Sequence, residues 1–132
     1  MLRGTNTDVI RPYSRVSASY LAGRMRGIAT SAEISQALGM IEQGRAVVWG
    51  NNSGFLTASP QGEETVLGNL TSMQLLTPKN MSVLARYASR AGSRALSARV
   101  RNRAVSWYMR NRLGFQHQYI DAEGNDVLLR QL

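Results

Sequence analysis

The stretch SWYMRNRLGF, residues 106–115, decides how this chain is read. A helical run carrying Trp107 and Tyr108 stops sharply on Leu113-Gly114-Phe115. Glycine takes the left-handed backbone conformation that ends a helix, so Gly114 serves as the stop and Phe115 opens a strand. Beyond it, FQHQYI and DVLLRQ read as two strands around the turn DAEGN. Before it, RALSARV alternates, with Leu96, Ala98 and Val100 on one face of another strand. The helix between them spans about 103 to 112, and helical spacing groups Ala104, Trp107 and Tyr108.

The rest of the chain alternates in the same way. DVIRPYS is a candidate first strand. Residues 17–26 suit a short helix with Val16, Tyr20 and Leu21 on one side. TSAE at 30–33 is a capping box, in which the Thr30 hydroxyl takes an orphan amide and Glu33 reaches back. Ile34, Ala37, Leu38 and Ile41 follow the helical period, and Gly44 ends it. RAVVW and GFLTA form a hairpin through GNNS, and SPQGEE makes the next turn. TVLGNLTSMQLL reads as one long strand with a bulge or kink at Gly68-Asn69, ended by Pro78. Asn80 is a candidate cap for a helix whose apolar side is Met81, Leu84, Ala85 and Ala88, closed by Gly92. The order is β-α-α-β-β-β-α-β-α-β-β. A three-strand meander inside an alternating pattern predicts a mixed, mostly antiparallel sheet flanked by helices, in a single domain over 1–132.

Composition narrows the chemistry. The 132 residues contain no cysteine and one histidine, which argues against thiol catalysis and against a zinc site. No apolar run nears the roughly 18 residues that a membrane helix needs. The first 28 residues are rich in arginine with only Asp8 as an acid, a composition that transit peptides share. The expectation is nevertheless a soluble protein. Net charge is +8, from 16 basic and 8 acidic residues. From Thr65 to Ile120 there is no acid at all, while Arg86, Arg90, Arg94, Arg99, Arg101, Arg103, Arg110 and Arg112 fall inside. These arginines predict a surface for an anionic partner: nucleic acid, a phosphorylated cofactor or an acidic protein face. Guanidinium groups suit phosphate and carboxylate through forked hydrogen bonds. Tyr87 is the only aromatic between residues 79 and 106, so a base-stacking platform for single strands is not expected.

The element order, the Ile10-Arg11-Pro12 opening, and Ala104, Tyr108 and Leu113-Gly114-Phe115 followed by two strands together resemble the GNAT superfamily of acyl-CoA-dependent N-acetyltransferases. The resemblance covers nearly the whole chain and implies that fold. In an active member, acetyl-CoA would lie beside Leu75, Leu76 and Thr77, with its phosphates at Asn80, Met81 and Ser82. Tyr108 would be the catalytic acid. Three departures stand against activity. The family's Q/R-x-x-G-x-G/A phosphate loop is replaced by LLTPKNMSVLA, with no glycine between Gly68 and Gly92 and a connection that looks too short to wrap a pyrophosphate. No carboxylate lies on the fourth strand beyond Glu64. The spacing from Tyr108 to Gly114 is longer than is usual in the family.

The sequence is also similar to a small GNAT-like internal head protein of short-tailed bacteriophages, in size, in the Ile-Arg-Pro start and in the Gly-Asn turn. The leading expectation is therefore a GNAT-like protein with an eroded acetyl-CoA site and no cofactor. It would act as a binding or structural component of a phage particle, with virion proteins or nucleic acid as partners and the host cytoplasm or the virion as its location. The alternative is an active N-acetyltransferase moving an acetyl group from acetyl-CoA to an amine. A third reading is a small basic inhibitor of a host protein. Tyr108 and Trp107 are expected to anchor their helix on the sheet. Phe115, His117 and Tyr119 are expected to share a strand face, and Met73, Met81 and Met109 to fill the core.

Overall fold

The computed structural model describes residues 9–13 and 18–132. Along them run β1 (Arg11–Tyr13), α1 (Ala18–Met25), α2 (Ser31–Glu42), β2 (Val47–Asn51), β3 (Gly54–Gln61) and β4 (Glu64–Gly68). After these come α3 (Pro78–Arg90), β5 (Ala95–Val100), α4 (Arg103–Arg112), β6 (Gln116–Ile120) and β7 (Asp126–Gln131). A 3-10 turn at Met73–Leu75 precedes α3. The order is the one implied by the sequence pattern. Asp8, Ser14 and Val16, which that reading includes, lie outside the described residues.

The strands form one seven-stranded sheet, ordered β1-β2-β3-β4-β5-β7-β6. All neighbours are antiparallel except β4 and β5, which run parallel. A parallel pair needs a crossover, and α3 supplies it. On one face α3 and α4 cover the main core, where Met81, Leu84, Val105 and Met109 meet Leu56, Leu67, Leu96 and Leu128. On the other face α1 and α2 pack Leu21, Met25 and Ala37 onto Val48 and Phe55, at the β2–β3 side only. The capping box of α2 forms as expected, with Thr30 Oγ1 accepting from Glu33 N at 3.1 Å and Glu33 Oε1 accepting from Thr30 N at 2.8 Å.

The long strand expected over 65–76 is not there. β4 stops at Gly68, and Asn69 turns with φ of 53°. Its side chain is held in that turn, since Asn69 Oδ1 accepts from Thr57 Oγ1 at 2.8 Å. Thr71 then bonds back to β3, giving its N–H to Phe55 O at 3.0 Å and accepting from Phe55 N at 2.9 Å on its hydroxyl. The chain is thus pulled toward β3 and away from β5. The connection to α3 covers residues 69–77, so the expectation of a short connection is also corrected.

Other corrections concern faces. On α1, Leu21 and Met25 are buried and Tyr20 is exposed, because the helix turns its 21/25 ridge to the sheet. On α4, Val105, Ser106 and Met109 point inward, leaving Trp107 51% exposed, so Trp107 anchors nothing in the core. Phe115 is buried, whereas His117 and Tyr119 are exposed on the edge strand β6, with a bulge between them. Met81 and Met109 are core residues, but Met73 is exposed on the 3-10 turn. Gly114 has φ of 80° and ends α4 as anticipated.

Candidate functional site

β4 and β5 pair over Glu64↔Ala95 to Leu67↔Ala98 and then part. β5 continues through Arg99 and Val100, paired with β7, while the Gly68-Asn69 turn carries β4 off toward β3. The strands splay, and a cavity of about 590 Å³ fills the opening. It passes through the sheet. On the α3/α4 side it is walled by Leu67, Leu76, Val105 and Met109, and on the α2 side by Gln36, Ala37 and Met40. A groove of about 610 Å³ continues from it over the uncovered sheet face, where Val66, Ser97, Val127 and Leu129 are reached.

The rim carries charge of both signs. Arg99, Arg101, Glu33 and Glu123 all line the cavity. The Thr30 N–H holds the Glu33 carboxyl below its ordinary range, with Arg101 adding attraction. Asp121 is likewise held low, chiefly by the Asn125 N–H, and its Oδ2 lies 4.0 Å from Arg99 Nε. From the sequence, Glu33 reads only as part of a capping box, and Glu123 is not singled out. They come from a helix start and a hairpin turn ninety residues apart, and only the fold brings them to one rim.

At the N-terminus of α3, where phosphates were expected, the amides are engaged or missing except that of Lys79. Thr77 N bonds to Leu75 O at 3.0 Å. Pro78 has no N–H to offer. Asn80 N is taken by Thr77 Oγ1 at 3.1 Å. Earlier in the connection, Leu75 N goes to Ser72 O, Leu76 N to Met73 O and Gln74 N to Ser72 Oγ. The Asn80 side chain is fully buried as a strut, accepting from Ile10 N at 3.0 Å and donating to Leu75 O at 3.0 Å. Leu75 and Met81 are buried in the core, Leu76 is buried but reaches the cavity wall, Thr77 is half-buried, and Ser82 is exposed. These six residues therefore do not form a cradle.

Tyr108 is half-buried against the main core and is absent from the cavity wall, which α4 builds from Asn102, Val105 and Met109. The arginines separate as well. Arg99 and Arg101 stand at the cavity, and Arg103 begins α4 at that end of the sheet. Arg86 and Arg90 lie on the outer side of α3, Arg94 precedes β5, and Arg110 and Arg112 end α4. Among the described residues no three His, Asp or Glu side chains gather into a metal site. No helix among them is long and apolar enough to cross a membrane.

A seven-stranded mixed sheet opened between parallel β4 and β5 is the deciding feature. The fold is that of the GNAT acetyltransferases. An acetyltransferase from Streptococcus agalactiae superposes with a TM-score of 0.64 at 13% identity, covering 93% of this chain and 97% of that one. An acetyltransferase from Thermus thermophilus gives 0.59 at 18% identity, over 94% and 97%. The PaiA N-acetyltransferase from Thermoplasma acidophilum, solved in complex with coenzyme A, gives 0.57 at 13% identity, over 93% and 99%. No family model and no curated protein matches the sequence. The likeness at these identities is one of GNAT fold alone.

Proposed function

We propose that this chain is a GNAT-fold binding protein that has given up acyl transfer and works by contact. The observation that carries this reading is the N-terminus of α3, which has a single unengaged amide, that of Lys79. Phosphate binding at a helix start needs backbone N–H groups pointing at the ligand. Here Thr77 and Asn80 have spent theirs, Pro78 has none, the Asn80 side chain is built into the core, and only the Lys79 N–H is left. The residues present do not fit the pyrophosphate of coenzyme A. The position of Tyr108, packed away from the cavity, supports the same reading.

The setting we propose is a bacteriophage particle, with other virion proteins as partners. Its support is the sequence resemblance carried by the Ile10-Arg11-Pro12 opening and the Gly50-Asn51 turn. Gene neighbourhood checks it, since adjacent head or tail genes agree with it and a metabolic operon does not.

The open passage between β4 and β5 favours a second reading, an active N-acetyltransferase. Calorimetry with acetyl-CoA separates the two. Contact without catalysis predicts no saturable binding tighter than about 1 mM at physiological ionic strength. Micromolar binding that survives salt would overturn the first reading and make the second the better one.

A further inference from the structure

α3 leaves the splayed end of β4 and returns to the start of β5, and α4 leaves the end of β5 and returns to the start of β6. Both helices therefore run the same way, and both C-termini emerge at the end of the sheet opposite the cavity. Arg90 ends α3 and Arg112 ends α4. Arg130 on β7 stands opposite Leu96 at the same end. It shares a shallow groove of about 350 Å³ with Arg86 and Arg90. Its Nε passes 3.8 Å from where a Cβ on Gly114, just past α4, would stand. Arg130 thus sits between the two helix ends, and three elements contribute guanidinium groups to one surface.

Helix dipoles account for part of this. Cations are favoured near a helix C-terminus, which explains Arg90 and Arg112. They explain neither Arg86, a full turn earlier, nor Arg130, which is on a strand. Of the acids at this end, Glu63 lies in the β3–β4 turn and Glu64 opens β4. Glu63 faces Arg94 at 3.9 Å, and Glu64 lines the groove on the opposite sheet face. Arg110 is engaged elsewhere, its Nε 3.3 Å from Ser106 Oγ. Arg112 stacks over the exposed Trp107 ring at 6.0 Å.

We propose that Arg86, Arg90, Arg112 and Arg130 form a docking surface for the phosphate backbone of duplex nucleic acid, separate from the cavity. Phosphate contacts need spread cations and no pocket. The groove offers a protein partner only Ala85 and Leu132 as apolar footing, short of the buried anchor that protein interfaces use. One exposed tryptophan is too little for a single-strand stacking platform. The overall charge of +8 draws the duplex in from a distance.

The test is fluorescence anisotropy of a labelled DNA duplex of about 20 base pairs, titrated from about 50 to about 200 mM salt. The wild-type chain binds at the low end, and affinity falls steeply with salt. Arg86→Gln/Arg90→Gln/Arg130→Gln lowers the slope of log K against log salt by about 2.7, roughly 0.9 per lost contact, and weakens low-salt binding at least tenfold. The exposed pair Arg86→Gln/Arg90→Gln lowers the slope by about 1.8 and serves if the triple variant melts early. Arg24→Gln/Arg26→Gln, on the α1 side, leaves the slope as it was. No duplex binding at low salt overturns the proposal. So does a triple variant that binds like wild type, or a control pair that loses as much. Poly-glutamate of equal charge binding more tightly than the duplex also overturns it and assigns the surface to an acidic protein.

Discussion

The passage between β4 and β5 and the N-terminus of α3 are joined by Leu76, yet one is open and the other offers a single amide. The passage depends on shape. A kink at Gly68-Asn69 and three hydrogen bonds between Thr71 and Phe55 draw the strands apart. The helix start depends on a few free amides. Here a threonine hydroxyl and a proline leave only the Lys79 amide. Shape rests on the whole sheet and is hard to lose, whereas a phosphate seat rests on three or four residues and is easily lost. That is why a fold match to acetyltransferases says so little about activity here.

Substitutions can break each side of this contrast. The largest effect is expected for Asn80→Ala. It strands the Ile10 N–H and the Leu75 carbonyl in the core, and removing partners from buried groups costs about 1–3 kcal/mol each. A loss of about 2–4 kcal/mol in a urea melt is expected. A change under about 0.5 kcal/mol would show that the closed helix start is not structural. Asn69→Val comes next. A β-branched residue in the left-handed region costs roughly 1–2 kcal/mol, and the Thr57 bond adds about 1. The variant should lose about 2–3 kcal/mol and straighten β4 toward β5, which closes the passage to any small ligand that enters it.

A third prediction concerns acid. The Ser106 hydroxyl, and then His117 and Arg110, hold the Asp126 carboxyl below its ordinary range, and His117 Nε2 lies 3.3 Å from its Oδ1. A carboxylate held low in the folded state stabilises at pH values above its unfolded pKa. That contribution is lost as pH falls through the folded value. Urea midpoints should therefore drop as pH goes below about 4, and Asp126→Asn should flatten that drop. An unchanged pH profile in Asp126→Asn would remove this latch between α4 and β7 from the account. The smallest effect is expected for Tyr108→Phe. Its ring stays packed, so stability should move by less than about 0.5 kcal/mol, and no turnover should be lost because none is expected. If acetyl transfer is measurable in the wild type and vanishes in Tyr108→Phe, the acetyltransferase reading replaces the contact reading.

Much of the fold was legible because its signals are local. The capping box at Thr30-Glu33, the glycine stops at 44, 92 and 114, and the alternation in RALSARV each act within a few residues. The errors share a different cause. TVLGNLTSMQLL has strand character throughout, but Thr71 is recruited by Phe55, sixteen residues away, and that partner is invisible locally. Trp107 looked like an anchor by its size, yet the phase of α4 is set by Val105 and Met109. The rim acids Glu33 and Glu123, and Arg130 between two helix ends, are products of topology. Closure of the phosphate seat was half visible, as the missing glycines and Pro78, while the buried use of Asn80 was not.

The single parallel ladder has one more consequence. β1 to β4 form one antiparallel unit and β5, β7 and β6 another, with turns joining β2 to β3, β3 to β4 and β6 to β7. Only four residue pairs join β4 to β5. The seam closes over a crossover of some 26 residues, and β5 meets β7 over a stretch almost as long. Parallel pairing is slightly weaker per residue than antiparallel, so we expect the seam to breathe before the ladders beside it. Amide protons bonded across β4–β5 should then exchange with deuterium sooner than those across β3–β4 or β5–β7. Uniform protection through the sheet would mean that the two units rise and fall as one.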